Sequence, residues 1–186
     1  LDFAINIAER SKAKLIVLNA YDLPYSQNVM STSLLEIMKE TSERGLEELK
    51  ENLSKHNIEV ETYSRMGNPI RVIKDFTENY DESIVVMGTK GASGLEEVLI
   101  GSNAASTLHM VNVPVLTIPT TSEISEIKTI IYAADYESKK DEQGLSRLAT
   151  LAKVYDAQVK ILHVTDPKKN QVADKAKFDK TFEGIN

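Results

Sequence analysis

Short apolar runs, separated by longer amphipathic stretches, organise most of this chain. Three of the runs show no alternation of apolar and polar residues and are bounded by turn residues: 16–18, 84–87 and 113–118. This pattern is typical of strands that are covered on both faces of a parallel sheet. The run 58–63 alternates instead, which predicts a strand nearer the edge of the sheet.

Between these runs lie stretches with an apolar residue at every third or fourth position, which predict amphipathic helices. Such stretches cover the first eight residues and the long segment after Ser31. Pro69 favours the start of a third helix, because proline fits the first helical turn, and a fourth helix should span 98–108. Strands that alternate with helices predict an α/β fold: a doubly wound open parallel sheet with helices on both faces.

An internal repeat extends this organisation. The segment 1–22 aligns without gaps to 145–166, and both copies predict a helix followed by a buried strand. Because the pattern is shared at one constant offset, a tandem repeat of one domain is the better explanation. The second copy is preceded by a strand and turn, 128–135, that the first copy lacks. The identical positions are Leu1/Leu145, Ala8/Ala152, Ala13/Ala157, Leu18/Leu162 and Asp22/Asp166.

The repeat predicts a first domain over 1–119 without its first strand, a polar linker over 120–126, and the start of a second domain over 127–186. By this alignment about 18 residues are absent before the first copy, and the second domain stops after a strand–helix–strand unit and a charged tail. The first strand is central in a doubly wound sheet, so its absence leaves two strand edges open. Either that strand belongs to a longer polypeptide, or the strand 128–134 fills the position, in its own chain or in a neighbouring one.

Candidate chemistry lies in a glycine-rich loop of the form G-x2-G-x9-G-S, which runs from Gly88 through Gly91 to Gly101 and Ser102. The carboxyl end of a parallel strand is where doubly wound folds bind ligands. Glycines let backbone amides approach a phosphate, and amides at the following helix start point toward an anion. Ser102 adds a hydroxyl, and Lys90 a positive charge. The alternative is a loop whose glycines only turn the chain and whose serine only caps the helix.

This loop resembles the G-x2-G-x9-G-[ST] motif of universal stress proteins, and the flanks 84–88 and 113–116 are similar to that family too. The resemblance covers 1–119 and 127–166 and implies the adenine-nucleotide alpha-hydrolase-like fold. It also implies that ATP is bound here, with backbone near Asn19, Ala20 and Tyr21 against the adenine. The residues implied to bind the nucleotide are Gly88, Thr89, Lys90, Gly91, Gly101, Ser102, Asn103, Ala20 and Met87.

The sequence differs from the family pattern in one element. The resemblance implies an acidic residue after the first strand, and its copy is absent from the first domain. The equivalent in the second domain is Asp135. A composite site of Asp135 and the loop 88–102 therefore requires the strand 128–134 to complete the first domain.

The leading functional interpretation is a stress-response module that binds adenine nucleotide and pairs with another domain or chain through the strand 113–118. An enzyme, such as a slow ATPase, is the alternative, although no nucleophile, general base or metal-ligand set stands out. A dimerisation protein with an empty loop is the third. The histidines, His56, His109 and His163, lie on separate predicted elements, so a metal site is not expected.

Composition and charge exclude several further classes of function and site. The net charge of −6 argues against a nucleic-acid-binding protein, which would carry a concentrated basic surface. No apolar run approaches the roughly 20 residues that span a bilayer, so no membrane partner is expected. The absence of cysteine excludes disulfides and thiolate metal sites. We therefore expect a cytoplasmic protein.

Overall fold

The computed structural model describes residues 1–23, 31–80, 82–89, 100–123, 126–133 and 141–162. Backbone contacts divide the chain into two compact units, Leu1–Glu123 and Ile124–Asn186. The boundary falls within the segment 120–126, where the sequence predicts a linker.

Helices and strands alternate along the described part of the first unit. The helices are α1 (Asp2–Ser11), α2 (Ser31–Leu53), α3 (Pro69–Thr77) and α4 (Ser102–Met110). The strands are β1 (Leu15–Tyr21), β2 (Val60–Met66), β3 (Val85–Gly88) and β4 (Val115–Ile118). The predicted α/β organisation is confirmed.

Local chemistry explains where the helices begin. The side chain of Asn68 accepts hydrogen bonds from the N–H groups of Ile70 and Arg71, and Pro69 occupies the first turn, so α3 begins where the proline predicts. The predicted start of the fourth helix at residue 98 is wrong for the described residues, because Gly101 is extended, with φ −66° and ψ 160°. Helix α4 therefore begins at Ser102.

The strands of the first unit form two parallel pairs. Strand β1 pairs with β2 from Leu15 opposite Val60 to Tyr21 opposite Met66. Strand β3 pairs with β4 from Val85 to Gly88. Among the described strands each one pairs with a single neighbour, so the expectation that the alternating run lies nearer a sheet edge stays a prediction.

The helices cover both faces of the β1–β2 pair. Ser42 of α2 hydrogen-bonds to the side chain of Ser64 at 2.6 Å, whereas Phe76 of α3 packs edge-to-face against Tyr63 with ring centroids 4.9 Å apart. Tyr63 and Ser64 are consecutive in β2, so their side chains point to opposite faces. Helices α2 and α3 therefore lie on opposite sides, as a doubly wound sheet requires.

The second unit contains β5 (Thr129–Ala133), α5 (Asp141–Tyr155) and β6 (Gln158–Leu162), and its two strands pair in parallel. Its helix-to-strand turn repeats the geometry of the first copy. Lys12 and Asp156, equivalent in the alignment of the two copies, both adopt left-handed conformations, with φ 55° and 50°. In each copy the next residue, an alanine, bonds back into the helix, at 3.0 Å and 2.9 Å. The assignment of 127–186 to a second domain of the same kind stays a prediction.

The hypothesis that the strand 128–134 completes the first domain is wrong. Residues 129–133 form β5, which is hydrogen-bonded to β6 in a separate two-stranded sheet. The composite site depended on that exchange, so it loses its premise. Its acidic member, Asp135, lies outside the described residues.

None of the described helices combines the length and the apolar character that a membrane span requires.

Candidate functional site

The two ends of the glycine loop meet at the carboxyl end of β3. Thr89, the residue after β3, donates its backbone N–H to the carbonyl of Ile118 at 3.0 Å. The carbonyl of Thr89 accepts the N–H of Gly101 at 2.5 Å, which closes the base of the loop. The side chain of Thr89 is buried. These bonds hold the start of α4 beside the end of β3, whatever path the loop takes between them.

The start of α4 offers unsatisfied donors. Gly101 precedes the helix and has no side-chain oxygen to cap it, so the N–H groups of the first turn have no acceptor within the helix. The first turn carries no acidic residue, and Ser102 and Asn103 are exposed. The partial positive charge of the helix end therefore faces solvent, an arrangement that stabilises a bound anion.

The structure brings five of the predicted binding residues together at this loop base: Gly88, Thr89, Gly101, Ser102 and Asn103. The backbone N–H groups of Thr89 and Gly101 are already used, and Ala105 donates to the carbonyl of Gly101. The N–H groups of Ser102, Asn103 and Ala104 therefore have no acceptor within the helix and can bind a ligand. Lys90, Gly91 and Asp135 lie outside the described residues.

Two further residues predicted to bind the nucleotide, Met87 and Ala20, lie on different strand pairs. Met87 is half-buried in β3, opposite Thr117 of β4. Ala20 is half-buried near the carboxyl end of β1, opposite Arg65 of β2. In a doubly wound sheet the carboxyl ends of all parallel strands share one edge, so both residues belong to the edge that carries the loop base.

Sequence analysis missed Arg65, which the pairing of β1 with β2 sets opposite Ala20. Its guanidinium lies 5.0 Å from the ring centroid of Tyr63 and 5.6 Å from that of Phe76, and its Nη1 donates to the carbonyl of Ser64 at 3.1 Å. The two rings favour a cation here and hold an exposed positive charge at the carboxyl edge. The only signal in the sequence was a basic residue before a turn, which is too common to single out.

A second missed feature is a polar relay between α2 and the strands. Ser42 lies on the inward face of α2 and donates to Oδ1 of Asn19 at 3.0 Å. Because its single proton is used there, the 2.6 Å contact with Ser64 has Ser64 as the donor. The relay makes the α2 side of this edge polar and orients the Asn19 amide.

The strongest electrostatic cluster lies at the opposite end of the sheet. Glu61 accepts from Nζ of Lys14 and from the hydroxyl of Tyr63, both at 2.9 Å. The hydrogen bond from Lys14, and then that from Tyr63, lowers the pKa of Glu61 below its ordinary value. The same bonds raise the pKa of Lys14 and of Tyr63. Lys14 precedes β1 and Glu61 is the second residue of β2, so this cluster connects the amino ends of the two strands and takes no part in the loop site.

Within the described ranges, no group of three or more metal-ligating side chains is close enough to hold a metal ion.

The model of the universal stress protein family matches residues 1–119. Two curated relatives are similar over much of that range. Universal stress protein MJ0531 of Methanocaldococcus jannaschii is 29% identical over 119 residues, covering 62% of this chain and 70% of the relative. Universal stress protein YxiE of Bacillus subtilis is 28% identical over 131 residues, covering 62% and 86%.

Solved structures support the same fold. A universal stress protein from Archaeoglobus fulgidus superposes with a TM-score of 0.75 at 22% identity, covering 97% of this chain and 66% of that one. UspA from Lactobacillus plantarum gives 0.55 at 21% identity, covering 63% and 85%. At these identities the likeness concerns the fold alone, and it confirms the doubly wound α/β prediction.

Proposed function

Because the chain belongs to the universal stress protein family, we propose that it is a cytoplasmic stress-response module that binds an adenine nucleotide, ATP. It acts by holding the nucleotide and by domain pairing rather than by catalysis. The observation that carries the proposal is the closed loop base, where the bond between Thr89 and Gly101 presents the uncapped start of α4 beside the end of β3.

The phosphates belong at the loop base. Donors at Ser102 and Asn103 are exposed and lack intrahelical acceptors, which suits a polyanion. Gly88 lets the ligand approach the strand end closely, and Lys90 and Gly91 complete the phosphate loop in this proposal. Arg65 adds a cation at the same edge of the sheet.

The base belongs between the ends of β1 and β3. Ala20 and Met87 are both half-buried, so they offer apolar surface to a ring without sealing the position. The relay from Ser64 through Ser42 orients the neighbouring Asn19 amide. The arrangement gives an apolar place for the base and amide donors for the phosphates.

Pairing is proposed through the segment 113–118. Strand β4 occupies Val115–Ile118 and, among the described strands, pairs only with β3. Its outer edge therefore keeps backbone groups that another strand can bind. Pro114 lies just before the strand and limits how far such pairing extends.

Calorimetric titration with ATP tests the nucleotide proposal. Replacing Ser102 by alanine removes a hydroxyl and should weaken binding about tenfold, whereas Gly101→Val places a Cβ at the loop base and should abolish it. Gly101 has φ −66°, which valine adopts without strain, so the fold should be retained.

Ser54→Ala is the matched control, because Ser54 is exposed and follows α2 before the start of β2, at the end of the strands opposite the loop base. It should bind ATP as the unmodified chain does. Unchanged affinity in both loop variants would refute the site. Sustained ADP formation that is lost in Gly101→Val would instead favour a slow ATPase.

A further inference from the structure

Backbone hydrogen bonds show which residues of β2 face β1. The N–H of Leu15 donates to the carbonyl of Glu59, and the N–H of Gly67 donates to the carbonyl of Tyr21, both at 2.8 Å. In a parallel pair, every second residue of a strand turns its N–H and C=O toward the same neighbour. The even-numbered residues of β2 therefore turn theirs away from β1, and no other described strand pairs with them. The backbone groups of these residues form the outer edge of β2: Val60, Thr62, Ser64 and Met66.

Arg65 occupies part of this outer edge. Its Nη1 donates to the carbonyl of Ser64 at 3.1 Å, an acceptor that the N–H of an added strand would otherwise use. The rings of Tyr63 and Phe76 hold the guanidinium there, with its central carbon 5.0 Å and 5.6 Å from their centroids. Arg65 is exposed, so its charge is hydrated. A strand added at this edge would have to displace the guanidinium or cover its charge, and either change opposes pairing.

The outer edge of β4 carries no such charge. The carbonyl of Ile118 accepts the N–H of Thr89 at 3.0 Å. By the same alternation, Val115 and Thr117 turn their backbone groups away from β3. The segment 113–119 contains no charged residue. Because charged side chains on an edge strand oppose pairing with another strand, the edge of β4 is open to such pairing in a way that the edge of β2 is not.

We propose that Arg65 prevents the outer edge of β2 from pairing with a strand of a second copy of this chain. Association by strand pairing is then left to β4, a consequence that rests on the proposed function. The competing role for Arg65 is local: the side chain covers the two rings and only adds stability. That role predicts a lower melting temperature when Arg65 is replaced and no change in association.

The substitution Arg65→Thr separates the two roles. Threonine is β-branched and suits a strand, so the fold should be retained while the charge and the bond to Ser64 are lost. In sedimentation velocity over a concentration series, the unmodified chain should form nothing larger than a dimer. Arg65→Thr should associate at a concentration at least about tenfold lower. It should also form larger species, because a second self-complementary contact lets paired chains continue to add copies.

Two control variants test whether the charge at this place is responsible. Arg65→Lys should behave as the unmodified chain does, since a lysine on an edge strand also opposes pairing. Arg44→Thr removes the same charge from an exposed position on α2, and it should leave association unchanged. Equal association in Arg44→Thr and Arg65→Thr would overturn the proposal, because net charge alone would then explain the effect.

Hydrogen exchange resolved by residue identifies the edge that pairs. In associated Arg65→Thr, the N–H groups of Thr62 and Ser64 should become protected, whereas in the unmodified chain at the same concentration they should not. Association without this protection would overturn the proposal, and so would a lower melting temperature without association. A monomeric unmodified chain would refute the proposed pairing through β4 alone, since the block still predicts dimers of Arg65→Thr through β2.

Discussion

At the residue scale, Glu61 shows how one partly exposed carboxylate connects separate segments of the chain. It accepts from Lys14, which precedes β1, and from Tyr63 of β2. Tyr63 also packs against Phe76 of α3. The hydrogen bonds therefore connect the two strands, and the ring contact connects this cluster to a helix. Partly exposed ion pairs contribute modestly to stability. The contribution of this pair can be recognised because it depends on pH.

The Lys14–Glu61 pair should stabilise the fold at neutral pH and lose its effect in acid. The folded state lowers the pKa of Glu61. Its contribution is therefore complete above the ordinary glutamate value, about 4.3, and disappears as the pH falls through the folded value. The melting temperature of the unmodified chain should exceed that of Glu61→Gln at neutral pH, and the two should converge in acid. A difference that stays constant across that range would contradict this account.

Replacing Ser83, which lies just before β3, by alanine should stabilise the folded state. Its Oγ is buried and has no hydrogen-bond partner among the described residues, and an unsatisfied buried hydroxyl destabilises the folded state. Ser83→Ala should raise the free energy of unfolding by about 1 kcal/mol in a urea titration. The control is Ser11→Ala, which removes a hydroxyl that donates to the carbonyl of Ile7 at 2.7 Å and should not stabilise. Equal effects in the two variants would remove the argument.

At the element scale, the start of α3 depends on one side chain. Asn68 accepts from two N–H groups of the first turn, and no other residue caps this end among the described contacts. Asn68→Ala should lower the free energy of unfolding by about 1 kcal/mol. Asn68→Asp keeps an acceptor oxygen and should retain most of the stability. If both variants unfold at the same urea concentration as the parent, the cap contributes nothing.

Helix starts also show what the sequence could predict and where it failed. Pro69 carries its signal locally, because its fixed φ suits a first helical turn, and α3 begins there. Apolar periodicity favoured an α4 start at residue 98. The helix instead begins at Ser102, after Gly101 turns away to bond with Thr89. That bond joins the end of a strand to the start of the next helix, and periodicity carries no information about such a contact.

The candidate site shows the same difference between residues that local sequence predicts and residues that only the fold brings together. Gly88, Gly101 and Ser102 could be predicted as binding residues from the glycine spacing and the family motif it resembles, because the loop is continuous in sequence. Arg65 and Ser42 were missed, since each reaches this edge only through the β1–β2 register and through the packing of α2 on the strands. Local spacing in the sequence cannot predict which residues meet when they are far apart in the chain.

At the whole-molecule scale, the repeat relates the two units to each other, whereas the proposed function concerns the first unit. The shared turn geometry at Lys12 and Asp156 relates the helix-to-strand segments of both units. Among the described residues, however, the loop base occurs only in the first unit, between β3 and α4. A nucleotide should therefore be recognised by one unit and not by the other, despite their common local structure.

Hydrogen exchange with saturating ATP locates the ligand. Amides of the first turn of α4 and of the carboxyl ends of β1 and β3 should exchange more slowly, since a bound ligand lowers the population of open states by mass action. Amides of α5 and β6 should exchange at unchanged rates, because the second unit lacks a corresponding loop base among its described residues. Gly101→Val should abolish the protection in the first unit and leave the second unit unaltered. Protection centred on α5 would place the nucleotide in the second unit and remove the loop base as the binding site.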